Sequence, residues 1–188
     1  MKKTITSSLF ISILLFLPSF FPSMAYAQKT AENSAELINY QVQENSTIRF
    51  IKTKIVIKKV LDKYNSPLAN SAETFTSTCI ALDFDCYLLP AIAGLESSFG
   101  LYVYSNSNNP FGWGRGHTLF PNWSIAIKTV GKKLKEDYID KGANSIEKIA
   151  PIYAESPTWA LRVSYFRQIF EKEGTNINFI LTEKGVKL

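Results

Sequence analysis

The stretch LLPAIAGLESSFG, residues Leu88 to Gly100, predicts the central helix of the fold. Small residues stand between its larger apolar ones and would let neighbouring helices approach closely. The larger ones recur at intervals of four, three and four, the spacing of one helix face: Leu88, Ile92, Leu95 and Phe99. We therefore expect a helix that ends near Ser97 and lies at the centre of its domain.

A second apolar repeat precedes this helix, from Leu68 to about Leu82. Pro67 suits the first turn of such a helix. The segment Asp83-Phe84-Asp85 then interrupts the repeat, and we expect Asp85 to cap the central helix. The two predicted helices are therefore neighbours joined by a short turn.

The first 27 residues have the features of a secretory signal peptide. Lys2 and Lys3 precede an apolar stretch, Phe10 to Leu17, that is shorter than the roughly 20 residues of a membrane-spanning helix. Ala25-Tyr26-Ala27 forms an A-x-A cleavage signal before Gln28. We expect a secreted or cell-envelope protein, without stable membrane insertion after cleavage.

Cys79 and Cys86 are the only cysteines of the chain. In an exported protein such a pair predicts a disulfide, here between the end of one helix and the start of the next. Two buried free thiols are the alternative. A metal site is not expected, because the single histidine, His117, lies far along the chain and the C-x-x-C spacing is absent.

The charge of the chain is mild. Removing Lys2 and Lys3 with the signal peptide lowers the formal charge from +5 to about +3. Such a charge suits an anionic cell-wall polymer but is too small to predict nucleic-acid binding, which usually needs a concentrated basic face. We expect a monomer without metal or organic cofactor.

The rest of the chain predicts an all-α fold with at most one small hairpin. Residues 28–52 are polar and are expected to form a flexible leader, and residues 100–122 a long loop or hairpin rich in Gly, Asn and aromatic residues. The tail, residues 174–188, has alternating apolar residues and predicts a short strand or disorder. A domain over residues 53–173 would contain further helices at about Thr53–Tyr64, Trp123–Tyr138, Ser145–Tyr153 and Pro157–Glu171.

Glu96 lies at the end of the central helix, one turn after Ile92 and beside the aromatic loop. Partial burial there would raise the pKa of Glu96 and keep it protonated near neutral pH, as a general acid requires. On this argument alone, a solvated glutamate at a helix end is the simpler interpretation.

Three separated blocks strengthen the catalytic interpretation: LLPAIAGLESSFG, NNPFGWG and IAPIYAESPTWA. In this order they resemble the glucosaminidase family of bacterial peptidoglycan hydrolases (mannosyl-glycoprotein endo-β-N-acetylglucosaminidase-like), within the lysozyme-like superfamily. The likeness spans about Ser66 to Phe170. It implies a lysozyme-like helical fold and cleavage of peptidoglycan strands, with Glu96 as the catalytic acid.

The resemblance also implies further site residues. Tyr153 matches the tyrosine of the family's Y-A block, and Asn109, Phe111 and Gly112 match its N-x-F-G segment. From the residues themselves, aromatic faces that can stack on sugar rings come from Tyr102, Tyr104 and Trp113. Ser97 and Glu155, neighbours of Glu96 and Tyr153, complete the predicted substrate contacts. Of the aromatic residues, Phe111 and Trp123 are the ones most expected in the core. For Tyr153, a place in the core is the alternative to a catalytic role.

No Asp or Glu occurs between Glu96 and Glu136, although glycosidases usually pair two carboxylates. A second carboxylate could come only from an acid that folding returns to the cleft, and Glu155 is the first candidate. A mechanism with one protein carboxylate is favoured, in which the substrate's N-acetyl group acts as the nucleophile. Attack by the sugar's 6-hydroxyl, as in lytic transglycosylases of the same superfamily, is the alternative. A glycan-binding accessory protein that does not cut is another.

Overall fold

The structure, a computed structural model, describes residues 24–183. Two compact units divide the chain, Met1–Gln41 and Val42–Leu188. Of the first unit the structure describes residues 24–41, which are helical throughout. The predicted apolar stretch of the signal peptide lies outside the described residues.

The described residues form an all-α fold, as the sequence predicts. Six α-helices follow one another, with short 3₁₀ turns at Pro67–Ser71 and Ile139–Lys141. No strand occurs between residues 24 and 183, so the loop before α4 contains no hairpin. The helices are α1 (Met24–Lys63), α2 (Ala72–Leu82), α3 (Leu88–Ser97), α4 (Trp123–Asp137), α5 (Ile146–Tyr153) and α6 (Trp159–Glu183).

The predicted central helix, α3, is buried along nearly its whole length. Most of its contacts with other helices are to α6, while α2 packs mainly against α4 and α5 packs on α6. Gly94 is where α3 is approached most closely, because a Cβ atom there would lie 2.7 Å from the Phe99 ring and 2.8 Å from the Phe166 ring. The buried residues of α3 are Leu88, Leu89, Pro90, Ala91, Ile92, Ala93, Gly94 and Ser97.

Helix α3 ends in left-handed backbone. Ser98 and Phe99 have φ angles of 48° and 59°, which side-chain-bearing residues rarely adopt. The Phe99 ring is fully buried and contacts the rings of Tyr64, Phe166 and Phe170. The end of α3 is therefore anchored by an aromatic ring beneath α6.

The predicted disulfide between Cys79 and Cys86 is confirmed. It joins the last part of α2 to the turn before α3, with the two Cα atoms 4.9 Å apart. Asp85 lies two residues before the N-cap of α3, which is Tyr87, and its carboxylate accepts a hydrogen bond from the Tyr87 backbone N–H. Asp85 therefore stabilises the turn rather than capping the helix itself.

Two terminal segments differ from the predictions. Residues 28–52, expected to be a flexible leader, belong to α1, which contains neither Pro nor Gly and is rich in residues of high helix propensity. Residues 174–183 of the predicted tail continue α6. Their short apolar alternation does not produce a strand, since a strand needs a pairing partner and none exists in the described chain.

The C-terminal half of α1 buries a stripe of apolar residues, and Glu173 of α6 lies beside it. Its carboxylate is only 5% exposed and pairs with Lys59, at 2.8 Å, and with Lys63. Hydrogen bonds from these two lysines lower the pKa of Glu173, so it stays ionised. This buried carboxylate is therefore neutralised by its partners and has a structural role.

Candidate active site

Glu96 lies where two cavities meet. One has a volume of about 580 Å³ and the other of about 410 Å³. Glu96, Gly112 and Arg115 line both, so the two form one cleft that passes over the Glu96 carboxyl group. The first cavity is also lined by Ser97, Leu101, Tyr102, Val103, Tyr104, Asn109 and Gly116, and the second by Phe111, Trp113, Gly114, Tyr138, Tyr153 and Ala154.

The two sides of this cleft have different origins. One side, the loop wall, is the irregular segment of residues 98–122 between α3 and α4. The other, the aromatic wall, is lined by Tyr138 and Tyr153, which follow α4 and end α5. Trp159, which begins α6, belongs to the same wall but is buried against Tyr153. Glu96 stands between the two walls at the end of α3.

The two oxygens of Glu96 have different surroundings. Oε1 accepts a hydrogen bond of 2.8 Å from the indole Nε1–H of Trp159. Oε2 lies against the Gly112 backbone, where an added Cβ atom would be only 2.9 Å away. When the carboxyl group is neutral, its proton therefore belongs on Oε2, because an oxygen that accepts the indole hydrogen cannot also direct its own proton there.

Burial raises the pKa of Glu96 above its ordinary value. The hydrogen bond from Trp159 and the positive charge of Arg162 act in the opposite direction but are weaker. A carboxyl group that is partly desolvated yet faces an open cleft holds its proton to higher pH than a surface glutamate does. This is the protonation behaviour expected of a general acid.

Tyr153 is the second polar group beside Glu96. Its hydroxyl donates a hydrogen bond of 2.8 Å to the backbone carbonyl of Phe111. Burial raises the pKa of Tyr153 well above its usual value, and the nearby Glu96 charge adds to this, so the phenol stays neutral. Because its proton is directed to Phe111, the lone pairs of the hydroxyl remain available to accept a hydrogen bond from a ligand.

The rings of the aromatic wall hold one another in place. Tyr153 stacks on Trp159, with ring centroids 4.9 Å apart, and makes an edge contact with Trp113 at 5.9 Å. Trp159 is only 3% exposed. Packing therefore fixes the orientation of the indole, and the hydrogen bond that it donates to Glu96 has a fixed direction.

Polar side chains hold the loop wall together. Asn109 donates to the carbonyls of Trp113 (2.8 Å) and Thr118 (3.1 Å) and accepts from the Trp113 N–H. The hydroxyl of Ser97 donates to the carbonyl of Pro110 and accepts from the Gly100 N–H. Both side chains are buried, and their polar atoms are bonded to backbone groups. Their contact with substrate stays a prediction.

The predicted stacking residues are distributed over both cavities. Tyr102 and Tyr104 are 78% and 57% exposed beside the first cavity, and Tyr104 stacks on His117 at 4.8 Å. Trp113 is half-buried and lines the second cavity. Phe111 is fully buried against Phe75, so its ring is a core residue and only its carbonyl belongs to the site.

Within the described part of the chain, no second carboxylate lines the cleft beside Glu96. Among residues 24–183, Glu96 is the only Asp or Glu that lines either cavity of the cleft. Glu155 is exposed and lines a different hollow, with Glu147 and Pro151. The same part of the chain contains no group of three His, Cys, Asp or Glu side chains that could bind a metal ion.

Sequence reasoning missed Trp159, Tyr138 and Arg115. Trp159 belongs to the block IAPIYAESPTWA, but a tryptophan near the start of an apolar helix looks like an ordinary core residue. Tyr138 follows a charged helix end and has no distinctive pattern. Arg115 stands between two glycines, Gly114 and Gly116, and this glycine-flanked cation is the signal that the sequence offers.

Sequence comparison assigns the chain to no family. No protein-family model matches the chain, and no curated protein is significantly similar to it in sequence. Within the described residues, no helix combines the length and apolar character needed to cross a bilayer. The function must therefore be inferred from the cleft itself.

Proposed function

We propose that this protein cleaves the glycan strand of peptidoglycan as an endo-β-N-acetylglucosaminidase, with Glu96 as the general acid. The observation that carries the proposal is the position of Glu96 where the two cavities meet, with burial raising its pKa. A polymer lying along the cleft would extend to both sides of this carboxyl group. The bond to be cut would then lie over the proton donor.

The proton on Oε2 is the one that Glu96 would transfer. Cleavage of a glycosidic bond needs a proton on the leaving oxygen and stabilisation of the positive charge that develops on the sugar. Trp159 keeps Oε1 occupied, and Gly112 leaves room beside Oε2. After proton transfer, the indole N–H would stabilise the carboxylate that forms.

The lone carboxylate of the cleft favours participation of the substrate. With no second Asp or Glu lining either cavity among the described residues, the N-acetyl group of the sugar would act as the internal nucleophile. Tyr153 would orient this group by accepting a hydrogen bond from its amide N–H. Attack by the 6-hydroxyl, which gives an anhydro product, is supported by the same observation.

Other features are consistent with an extracytoplasmic wall enzyme. Tyr102, Tyr104 and Trp113 offer aromatic faces along both cavities for sugar rings. The Cys79–Cys86 disulfide suits an oxidising compartment. We further propose a lysozyme-like arrangement of the helices, secretion through the N-terminal signal peptide with cleavage near Ala27, and a monomeric state.

Mass spectrometry of the fragments released from purified peptidoglycan tests this function. Reducing N-acetylglucosamine ends from the parent protein, lost in Glu96→Gln, are expected. Anhydro-muramic ends would identify a lytic transglycosylase instead. The matched control is Glu136→Gln, an exposed carboxylate of α4 outside the cleft, which should release the same fragments as the parent.

Absence of fragments from the parent protein would contradict the enzymatic proposal. If both the parent and Glu96→Gln then bound insoluble peptidoglycan, the protein would be a glycan-binding accessory protein.

A further inference from the structure

Arg115 is a cation in the cleft that has no counter-ion among residues 24–183. It lines both cavities together with Glu96, and its side chain is exposed. It makes no ion pair or hydrogen bond through its side chain with any residue that the structure describes, whereas Arg167 pairs with Asp85 and Glu171. Its guanidinium group is therefore available to a ligand in the cleft.

The loop wall presents this arginine in an unfavourable backbone conformation. Arg115 has a φ of 56°, between Gly114 at 62° and Gly116 at 82°. Left-handed backbone is costly for a residue with a side chain, and such residues are concentrated at functional sites. The surrounding turn is closed by a 2.9 Å hydrogen bond from the Gly116 N–H to the Gly112 carbonyl, and the Asn109 side chain bonds both ends of residues 113–118.

The electrostatic surroundings favour an anionic partner for Arg115. Glu96 is the only acidic residue of the described chain that lines the cleft, and its carboxyl group is bonded to the Trp159 indole rather than to Arg115. A planar guanidinium group binds a carboxylate through two parallel hydrogen bonds. The cleft therefore has an unsatisfied site for one carboxylate beside the bond-cleaving position.

We propose that Arg115 binds a carboxylate carried by the glycan substrate, and that it thereby selects acidic glycan strands over neutral N-acetylglucosamine polymers. This inference rests on the proposed function, because it names the substrate group recognised in the same cleft. Two sources share the chemistry: the lactyl group of N-acetylmuramic acid, where it is not amidated, and the carboxylates of an attached peptide.

Binding measurements in the non-cleaving Glu96→Gln background test the inference independently of catalysis. The three probes are a neutral N-acetylglucosamine hexamer, peptide-free peptidoglycan strands with free lactyl carboxylates, and strands that keep their peptides. Isothermal titration calorimetry would give the Kd of each. Adding Arg115→Gln should weaken binding of an acidic strand by about ten- to a hundredfold, and binding of the hexamer by much less.

Three controls separate Arg115 from a general effect of charge. Arg49→Gln removes the same charge at an exposed position that lines neither cavity, and it should leave the ratio between acidic and neutral probes unchanged. Arg115→Lys keeps the charge without the planar fork and should restore part of the lost affinity. Raising the salt concentration should weaken binding of the acidic strands more in the Arg115 form than in Arg115→Gln.

The outcomes identify the source or overturn the inference. Loss with the peptide-free strands identifies the lactyl carboxylate, and loss with only the peptide-bearing strands identifies the peptide. An equal loss for the neutral hexamer, no loss for any probe, or no binding of acidic strands would overturn it. Failure of the proposed function is seen separately, as intact peptidoglycan with a parent protein whose binding still depends on Arg115.

Discussion

The two walls of the cleft are built by different means. The loop wall has irregular backbone with several left-handed residues, and it is held by hydrogen bonds from buried polar side chains to backbone groups. The aromatic wall is held by ring stacking at the ends of regular helices. The loop wall therefore controls how closely backbone approaches Glu96. The aromatic wall directs the carboxyl group through the Trp159 hydrogen bond, which also opposes the rise in pKa that burial causes.

Gly112→Ala should have the largest effect, because it alters the approach of the loop wall directly. Its Cβ atom would be 2.9 Å from Oε2 of Glu96, so the carboxyl group must move. We expect kcat/KM on peptidoglycan to fall roughly hundredfold, as for a displaced catalytic group. Steady-state kinetics measures it.

Gly142→Ala is the matched control for Gly112→Ala. Gly142 also has positive φ, 97°, but nothing lies within 4 Å of an added Cβ atom. Both variants carry the cost of an alanine at positive φ, but only Gly112→Ala should lose activity. Equal activity in the two variants would mean that the loop wall does not limit the space around Oε2.

Asn109→Ala tests whether polar side chains hold the loop wall. It removes three hydrogen bonds to buried backbone groups, and we expect the free energy of unfolding to fall by about 2 kcal/mol. Urea unfolding followed by circular dichroism gives this value. Asn144→Ala, at an exposed position, is the control and should change it little. A loss no larger than that of the control would show that the loop is held by other contacts.

Trp159→Phe tests the aromatic wall. The variant keeps a ring against Tyr153 but loses the N–H that bonds Oε1. Because this hydrogen bond lowers the pKa of Glu96, its loss should raise that pKa further and move the alkaline limb of the pH–activity profile to higher pH. We expect kcat/KM to fall about tenfold.

Trp123→Phe, a partly buried tryptophan that lines neither cavity, is the control for the ring itself. It should leave the alkaline limb in place. An unshifted limb in Trp159→Phe would limit Trp159 to a packing role.

The smallest expected effect is the pH dependence that Glu96 adds to stability. Because burial raises the pKa of Glu96, the folded protein binds this proton more tightly than the unfolded chain, whose glutamate titrates near 4.5. The stability of the parent therefore falls as pH rises from about that value through the folded pKa, and Glu96→Gln lacks this loss. The difference in Tm, Glu96→Gln minus parent, should thus be more positive near pH 7 than near pH 4. The reverse order in calorimetry would contradict the desolvation of Glu96.

The difference between the walls also explains what the sequence could predict. The apolar repeat of α3 placed Glu96 at the end of a buried helix, and Cys79 and Cys86 predicted their disulfide, because both patterns are local. Trp159 is 63 residues from Glu96, so only folding shows that its N–H meets the carboxyl group. The occupied hydrogen bonds of Asn109 and Ser97 depend in the same way on the closed shape of the loop.

The predictions for the two terminal segments were wrong for another physical reason. Amphipathic period is the pattern that marks a helix in a sequence, and α1 as a whole has little of it. Its helical character is consistent with high helix propensity and the absence of Pro and Gly, which give no periodic signal. In residues 174–183, apolar and polar residues alternate over a few positions, as in a strand. Helix α6 accommodates this alternation, because Ile177 is buried and Phe179 is exposed.

The effect of a substitution at Phe99, at the end of α3, depends on the residue at a neighbouring position. A glycine at this position would relax the left-handed backbone but leave a void between Tyr64, Phe166 and Phe170, while a smaller apolar residue would keep the strained φ and lose the ring contacts. Gly94 can gain a side chain only if the rings of Phe99 and Phe166 both withdraw. Positions 94 and 99 are therefore mutationally coupled, and variant libraries should vary the two together.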